Sequence, residues 1–224
     1  MPRLPDPQLA ARRRREILQA ALVCFRRRGF HQATMQEICA EARVSPGALY
    51  RYFSSKGDII AAIAAEEHAQ IEPLFASLAA GANILDTLEI LAIEWLRKFS
   101  DDDAPLIADV FAECVRDRAL AAEITRNGIE IQDRLADAVR LAQARGQIAS
   151  ELDPLMVVRL IFATLDGLGF RVAVIRDAPP EEAAADFMTM LRRFLAPPPS
   201  HPQTNPPRMK GSTRAAQDAQ ETVK

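Results

Sequence analysis

The densest set of residues able to engage another molecule lies between Thr34 and Lys56, in the run TMQEICAEARVSPGALYRYFSSK. Small residues, Pro46, Gly47 and Ala48, are followed at once by Tyr50, Arg51, Tyr52 and Lys56. Small side chains let a backbone approach a surface closely. Phenolic hydroxyls, guanidinium and ammonium groups donate hydrogen bonds to phosphate oxygens. That combination at the start of a short helix suits a DNA major groove.

The elements that must position these groups are legible in the same run. Thr34 precedes an apolar-periodic segment with Glu37 three residues on, a capping box that starts a helix. Ile38 and Ala42 share one face of that helix, and Val44 plugs the turn after it. Ser45 is a good N-cap, and Pro46 suits the first helical position because its missing N–H costs nothing there. The spacing predicts a second helix from Pro46 to Phe53 that buries Leu49 and Phe53. Pro46, Gly47, Ala48, Arg51 and Tyr52 then point outward. Two short helices across a tight turn make a helix-turn-helix.

With these residues in place, the chain resembles the tetracycline-repressor (TetR/AcrR) family of regulators. The resemblance rests on Ile17, Ala20, Ala21, Phe25, Gly29, Thr34, Ile38, Ala42, Val44, Ser45, Gly47, Leu49, Tyr50, Tyr52, Phe53 and Lys56, and covers residues 10–60. It implies that Thr34, Tyr50, Tyr52 and Lys56 contact DNA backbone phosphates, and that Gln36, Pro46, Gly47 and Ala48 face base edges. Gln36 can bond adenine bidentately and Ala48 can offer a methyl to thymine. Gly47 either admits the backbone closely or is simply a permissive helix-start residue. Ser45, Arg43 and Arg51 complete the expected DNA-contacting set, the two arginines as phosphate neighbours. Two positions depart from the family pattern: Arg43 stands where Gly is usual, and Cys39 where Ala is usual. A non-glycine residue at positive φ costs of order 1 kcal/mol, which the turn can absorb.

Charge supports the same direction. Residues 1–56 carry a net +7, residues 57–196 a net −11 and the last segment +2, which together give the total of −2. A basic head on an acidic body draws a polyanion to one end and repels it from the other. No run of about 18 uncharged apolar residues is present, so no membrane span is expected. Arg12 to Arg15 are not followed by an apolar segment and a small-residue cleavage site, so a cytoplasmic location is expected. Cys24, Cys39 and Cys114 are widely spaced within helical patterns and read as buried small hydrophobes. His31, His68 and His201 have no partner at metal-ligand spacing, so neither a metal nor a cofactor is expected.

The whole chain reads as all-α. Residues 1–56 form a basic arm and a three-helix DNA-binding domain, 57–196 a helical ligand-binding and dimerisation domain, and 197–224 a proline-rich, polar tail expected to be disordered. The first helix should run from Gln8 to Arg28 and stop at Gly29. A fourth begins at Ser55 with Asp58 three residues on, and Pro73 should kink or end it. Further helices are expected near Ile84–Phe99, Ala104–Cys114, Ala119–Ala144, Pro154–Arg176 and Pro180–Leu195. The last two are the dimerisation candidates. LMVVRLIFATLDGLGFRVAVI is apolar nearly all round, Gly167 and Gly169 permit close helix approach, and Phe187, Met190, Leu191 and Phe194 form a stripe. The alternative is that both helices fill the core of a single subunit.

Effector candidates are Trp95, Phe99, Phe111, Cys114, Met156, Phe162, Asp166 and Phe170, an aromatic and methionine lining with one acid. Each has a second reading as core. Asp166, an acid amid apolar residues, either contacts a ligand or pairs with Arg159 or Arg171. The chain shows no Ser-His-Asp order, metal cluster, paired carboxylates or cofactor fingerprint, so an enzyme is not expected. The expected function is a dimeric regulator bound to double-stranded operator DNA, a repressor released by a small lipophilic or aromatic molecule. Activation, or a helical ligand-binding protein with a vestigial DNA head, are the alternatives.

Overall fold

The computed structural model describes residues 7–100 and 103–197; the expected basic arm start and all but the first residue of the expected tail lie outside them. Among the described residues there are ten helices and no strand. Helix α1 (Pro7–Arg28) ends as expected at Gly29, whose φ of 79° is the left-handed conformation of a helix stop. Helices α2 (Met35–Ala42) and α3 (Pro46–Tyr50) follow, capped by Thr34 and Ser45, with the Thr34–Glu37 capping box complete in both directions. Arg43 adopts φ 53° between them, the strained conformation expected where glycine is usual. Helix α3 is shorter than the spacing predicted. It stops at Tyr50, and Tyr52 and Phe53 turn back to donate to the Leu49 carbonyl.

Ser55 caps α4 (Lys56–Gln70). Pro73 marks an end of that helix rather than a kink, and it sits in the first turn of a separate α5 (Glu72–Ala79), which sequence reading missed. The helix breaks upstream at Ile71 because proline tolerates a first turn and not an interior. The body continues with α6 (Ile84–Lys98), α7 (Ala104–Arg116), α8 (Arg118–Ala144), α9 (Pro154–Val174) and α10 (Pro180–Phe194). None of the helices is long and apolar enough to cross a membrane.

Two hydrophobic cores result. The head core joins Ile17, Phe25, Ile38, Leu49 and Phe53 to Ile59, Ile60 and Ile63 of α4, and takes in Leu106 of α7 and Leu120 of α8. The body core gathers α5, α6, α8, α9 and α10 around Leu96, Phe99, Val139, Val158 and Phe187. Packing therefore runs on across residue 56. Helix α4 is fixed to the head by one end and reaches into the body with the other.

Candidate nucleic-acid interface and adjoining cavity

The helix-turn-helix presents an exposed surface made of Thr34, Gln36, Arg43, Ser45, Pro46, Gly47, Tyr50 and Arg51, with Ala48 and Tyr52 half-buried. Tyr50 is 54% exposed, although Tyr52 and Phe53 beyond Arg51 turn inward. Tyr52 packs against the head core with the Arg51 guanidinium 5.3 Å from its ring centre, so it points outward less than the helical spacing implied. Nothing lies within 4 Å of where a Gly47 side chain would stand, so this face of α3 is open. Arg27 and Arg28 turn away from it and pair with Glu41 and Glu37, pinning α1 to α2. The Glu37 carboxyl is held below its usual range, first by the Thr34 backbone N–H and then by the Thr34 hydroxyl.

Lys56 is differently engaged from its neighbours. Its ammonium donates to the carbonyls of Phe30 (2.7 Å) and His31 (2.8 Å) and lies 5.1 Å from the Phe30 ring centre. Burial pushes its pKa down, opposed by Glu113. Two of its three donors thus bind the loop between α1 and α2, and one remains for another partner.

That loop is also held from the body. Asp109 on α7 accepts the Phe30 N–H at 2.9 Å, and a side chain at Gly29 would come within 2.8 Å of the same carboxylate. Asp103 pairs with Arg26 through both oxygens, at 2.6 and 3.0 Å. Helix α7 therefore grips the C-terminal end of α1 with acidic groups on one side. The same helix lines a cavity of about 250 Å³.

This cavity lies among α1, α4, α6, α7 and α8. Its walls are mostly apolar, including Leu22, Ile60, Ile63, Leu106, Val110 and Ile124, with Glu67, His68, Trp95, Lys98, Asp103 and Thr125 as polar members. Of the expected effector residues, Trp95 and Phe111 line it. Phe99 is fully buried and stacks edge-on between Trp95 (5.5 Å) and Phe170 (5.3 Å), while Phe111 meets Phe170 at 5.5 Å. These four aromatic rings form one chain from the cavity into the core. Phe99 and Phe170 border a second, wider groove of about 800 Å³ beside Arg26 and Arg27. Met156, Phe162, Asp166 and Cys114 are half-buried and line neither space.

Neither arginine expected as a partner reaches Asp166. Arg159 donates to the Leu155 carbonyl and Arg171 pairs with Asp177. Burial raises the Asp166 pKa, and the nearby Trp95 indole lowers it in part. The Trp95 Nε1–H approaches Asp166 without the geometry of a full hydrogen bond. Sequence reading passed over His68, Glu67 and Lys98. No local pattern marks them, because four other helices supply the surrounding wall.

Gly169 also serves a purpose different from the one expected. A side chain there would lie 2.5 Å from the Phe99 ring, so the glycine admits that ring within the subunit. Helices α9 and α10 divide their apolar residues between the core and solvent. Val158, Leu165, Phe187 and Leu191 are buried, whereas Leu155, Leu160, Met190 and Phe194 are exposed.

Comparison with known proteins agrees with this geometry. The model of bacterial regulatory proteins, tetR family, matches residues 17–63. The HTH-type transcriptional regulator UidR of Escherichia coli strain K12 is 29% identical over 184 residues, covering 81% of this chain and 90% of that protein. The solved structure of Salmonella enterica GusR superposes with a TM-score of 0.70 at 31% identity, over 86% of this chain and 98% of that one. The HTH-type transcriptional repressor KstR of Rhodococcus jostii is 28% identical over 151 residues, 66% of this chain and 67% of that protein.

Proposed function

The chain belongs to the TetR family of bacterial regulatory proteins and is a DNA-binding transcriptional regulator, not an enzyme; from that premise we propose that it is a homodimeric repressor released from its operator by a small molecule. The observation that carries the ligand-responsive half is the shared wall. Helices α4 and α7 both line the cavity, and both are fastened to the head, α4 through Lys56 and α7 through Asp109. A molecule that repositions either helix changes the placement of α3. Repression, rather than activation, is supported by the similar Rhodococcus protein, which is named a repressor.

In this reading residues 1–56 are the DNA-binding unit and 57–196 the sensing and dimerising unit. Thr34, Ser45, Tyr50, Tyr52 and the free donor of Lys56 take phosphates, with Arg43 and Arg51 beside them. Gln36, Pro46, Gly47 and Ala48 face base edges. The apolar residues that α9 and α10 leave exposed meet those of a second copy, which places two heads on successive major grooves about one DNA turn apart. A mobility-shift assay on the DNA upstream of the chain's own reading frame tests the DNA half. Binding there should be specific, and Gln36→Ala should relax preference at one base pair per half-site by about 1–3 kcal/mol. Equal loss across all operator variants would make Gln36 a positioning residue instead.

A further inference from the structure

Resting on the phosphate contact assigned to Lys56 above, we propose that Asp109 is a positioning residue for DNA binding, holding from the body the loop that aims that ammonium. Phe30 is the link, and it is held at both of its peptide groups. Its N–H donates to Asp109 Oδ2 on α7 at 2.9 Å, and its carbonyl accepts from Lys56 Nζ at 2.7 Å. The His31 carbonyl accepts a second Lys56 donor at 2.8 Å, and the Phe30 ring centre lies 5.1 Å from the same ammonium. Hydrogen bonds thus run in series from α7, through residue 30, to the first residue of α4.

A lysine ammonium sits on a flexible four-carbon stem, so its direction must be set from outside. With two donors committed to the loop, the third is aimed only as well as the loop is held. The head anchors the Phe30 side chain, whose ring is buried and 5.2 Å from that of Phe25. The Phe30 N–H, in contrast, is taken by the body. It follows Gly29, whose φ of 79° belongs to a residue of wide backbone freedom. A Cβ at Gly29 would lie 2.8 Å from the same Asp109 oxygen, so the carboxylate sits hard against the one point where the loop turns most easily. Asp103 offers an internal comparison. It joins α7 to Arg26 through both oxygens, at 2.6 and 3.0 Å, and touches neither Phe30 nor Lys56.

The probe is a duplex selected from a random-sequence pool by the native full-length chain, with affinity measured across a salt series well below the melting temperature. Asp109→Ala should weaken binding about tenfold and lower the salt slope by about one unit, as Lys56→Ala does. The double variant should bind no more weakly than Lys56→Ala alone, because both residues act on one contact. Asp109→Asn keeps an oxygen that accepts the Phe30 N–H and should recover most of the affinity. Asp103→Ala should keep the native slope. Cooperative melts show that each variant is folded, and a purely structural Asp109 would shift the melt while leaving the slope alone. A native slope in Asp109→Ala, additive losses in the double variant, or the same loss from Asp103→Ala would each overturn the assignment. A native slope in Lys56→Ala would overturn it at its last link, and is the one outcome that also removes the phosphate contact on which it rests.

Discussion

The Lys56 ammonium ties the start of α4 to the Phe30 and His31 carbonyls, which leaves one N–H for the phosphate contact proposed for it. Lys56→Ala should therefore cost about 1–3 kcal/mol of stability, since it removes hydrogen bonds from a charged donor. It should also lower the salt slope of DNA binding by about one unit. A melting-point loss with an unchanged slope would assign Lys56 to the loop alone. His68 gives a second residue-scale test. Its pKa is lowered by burial, with Lys98 acting in the same direction and Glu67 opposing, so the folded chain resists protonating it. Its contribution to stability is complete above the usual imidazole value of about 6.5 and is lost as pH falls through the lower folded value. Melting temperatures from pH 8 to pH 5 should fall more steeply for the native chain than for His68→Leu. Parallel curves would mean that His68 titrates as if exposed.

At the scale of elements, the glycines of α9 distinguish two explanations that the sequence alone left together. Gly169 faces the Phe99 ring, whereas nothing lies within 4 Å of a side chain at Gly167. Gly169→Ala should cost about 1–3 kcal/mol by overpacking, or roughly 2–12 °C in Tm. Gly167→Ala should be neutral or stabilising by up to about 1 kcal/mol, because alanine is the better helix former. Equal effects at both sites would remove the packing account of Gly169. The same contrast explains what was legible beforehand. Caps and turns are local chemistry, so Thr34–Glu37, Ser45–Pro46 and Gly29 disclosed the helix-turn-helix and its boundaries directly. The α4–α5 break was only half legible: Pro73 marks an interruption, but which residue yields depends on the packing of Phe75 and Leu78 in the body core. The cavity was least legible. Trp95 and Phe111 stood out as aromatics, but His68 becomes notable only when α4 is laid beside α6 and α7.

Over the whole molecule, the separation of charge and the separation of apolar surface assign different ends to different partners. In the proposed reading the basic first 56 residues meet DNA, the acidic body does not, and the exposed Met190 and Phe194 on α10 meet a second copy. Phe187 and Leu191 on the same helix are only 2% and 3% exposed, so the two faces can be altered independently. A Met190→Glu, Phe194→Glu double variant should leave the subunit core intact while desolvation of the new carboxylates opposes association. Sedimentation should then show a monomer with little change in helicity. A species that remains dimeric would place the interface elsewhere. The monomer should bind operator DNA far more weakly, because one short helix spans only a few base pairs and a two-fold site needs both heads. The cavity, in contrast, is walled by α1, α4, α6, α7 and α8 of one subunit and uses no residue of α9 or α10. Effector affinity should therefore survive in the same variant. In the dimer the two ligands must oppose one another reciprocally, with effector and operator each weakening the other by one common factor. In the monomer that factor should collapse toward one, since a displaced head no longer has a fixed partner whose spacing it can spoil. Undiminished coupling in a proven monomer would locate the switch within a single head, in the Asp109 and Lys56 contacts themselves.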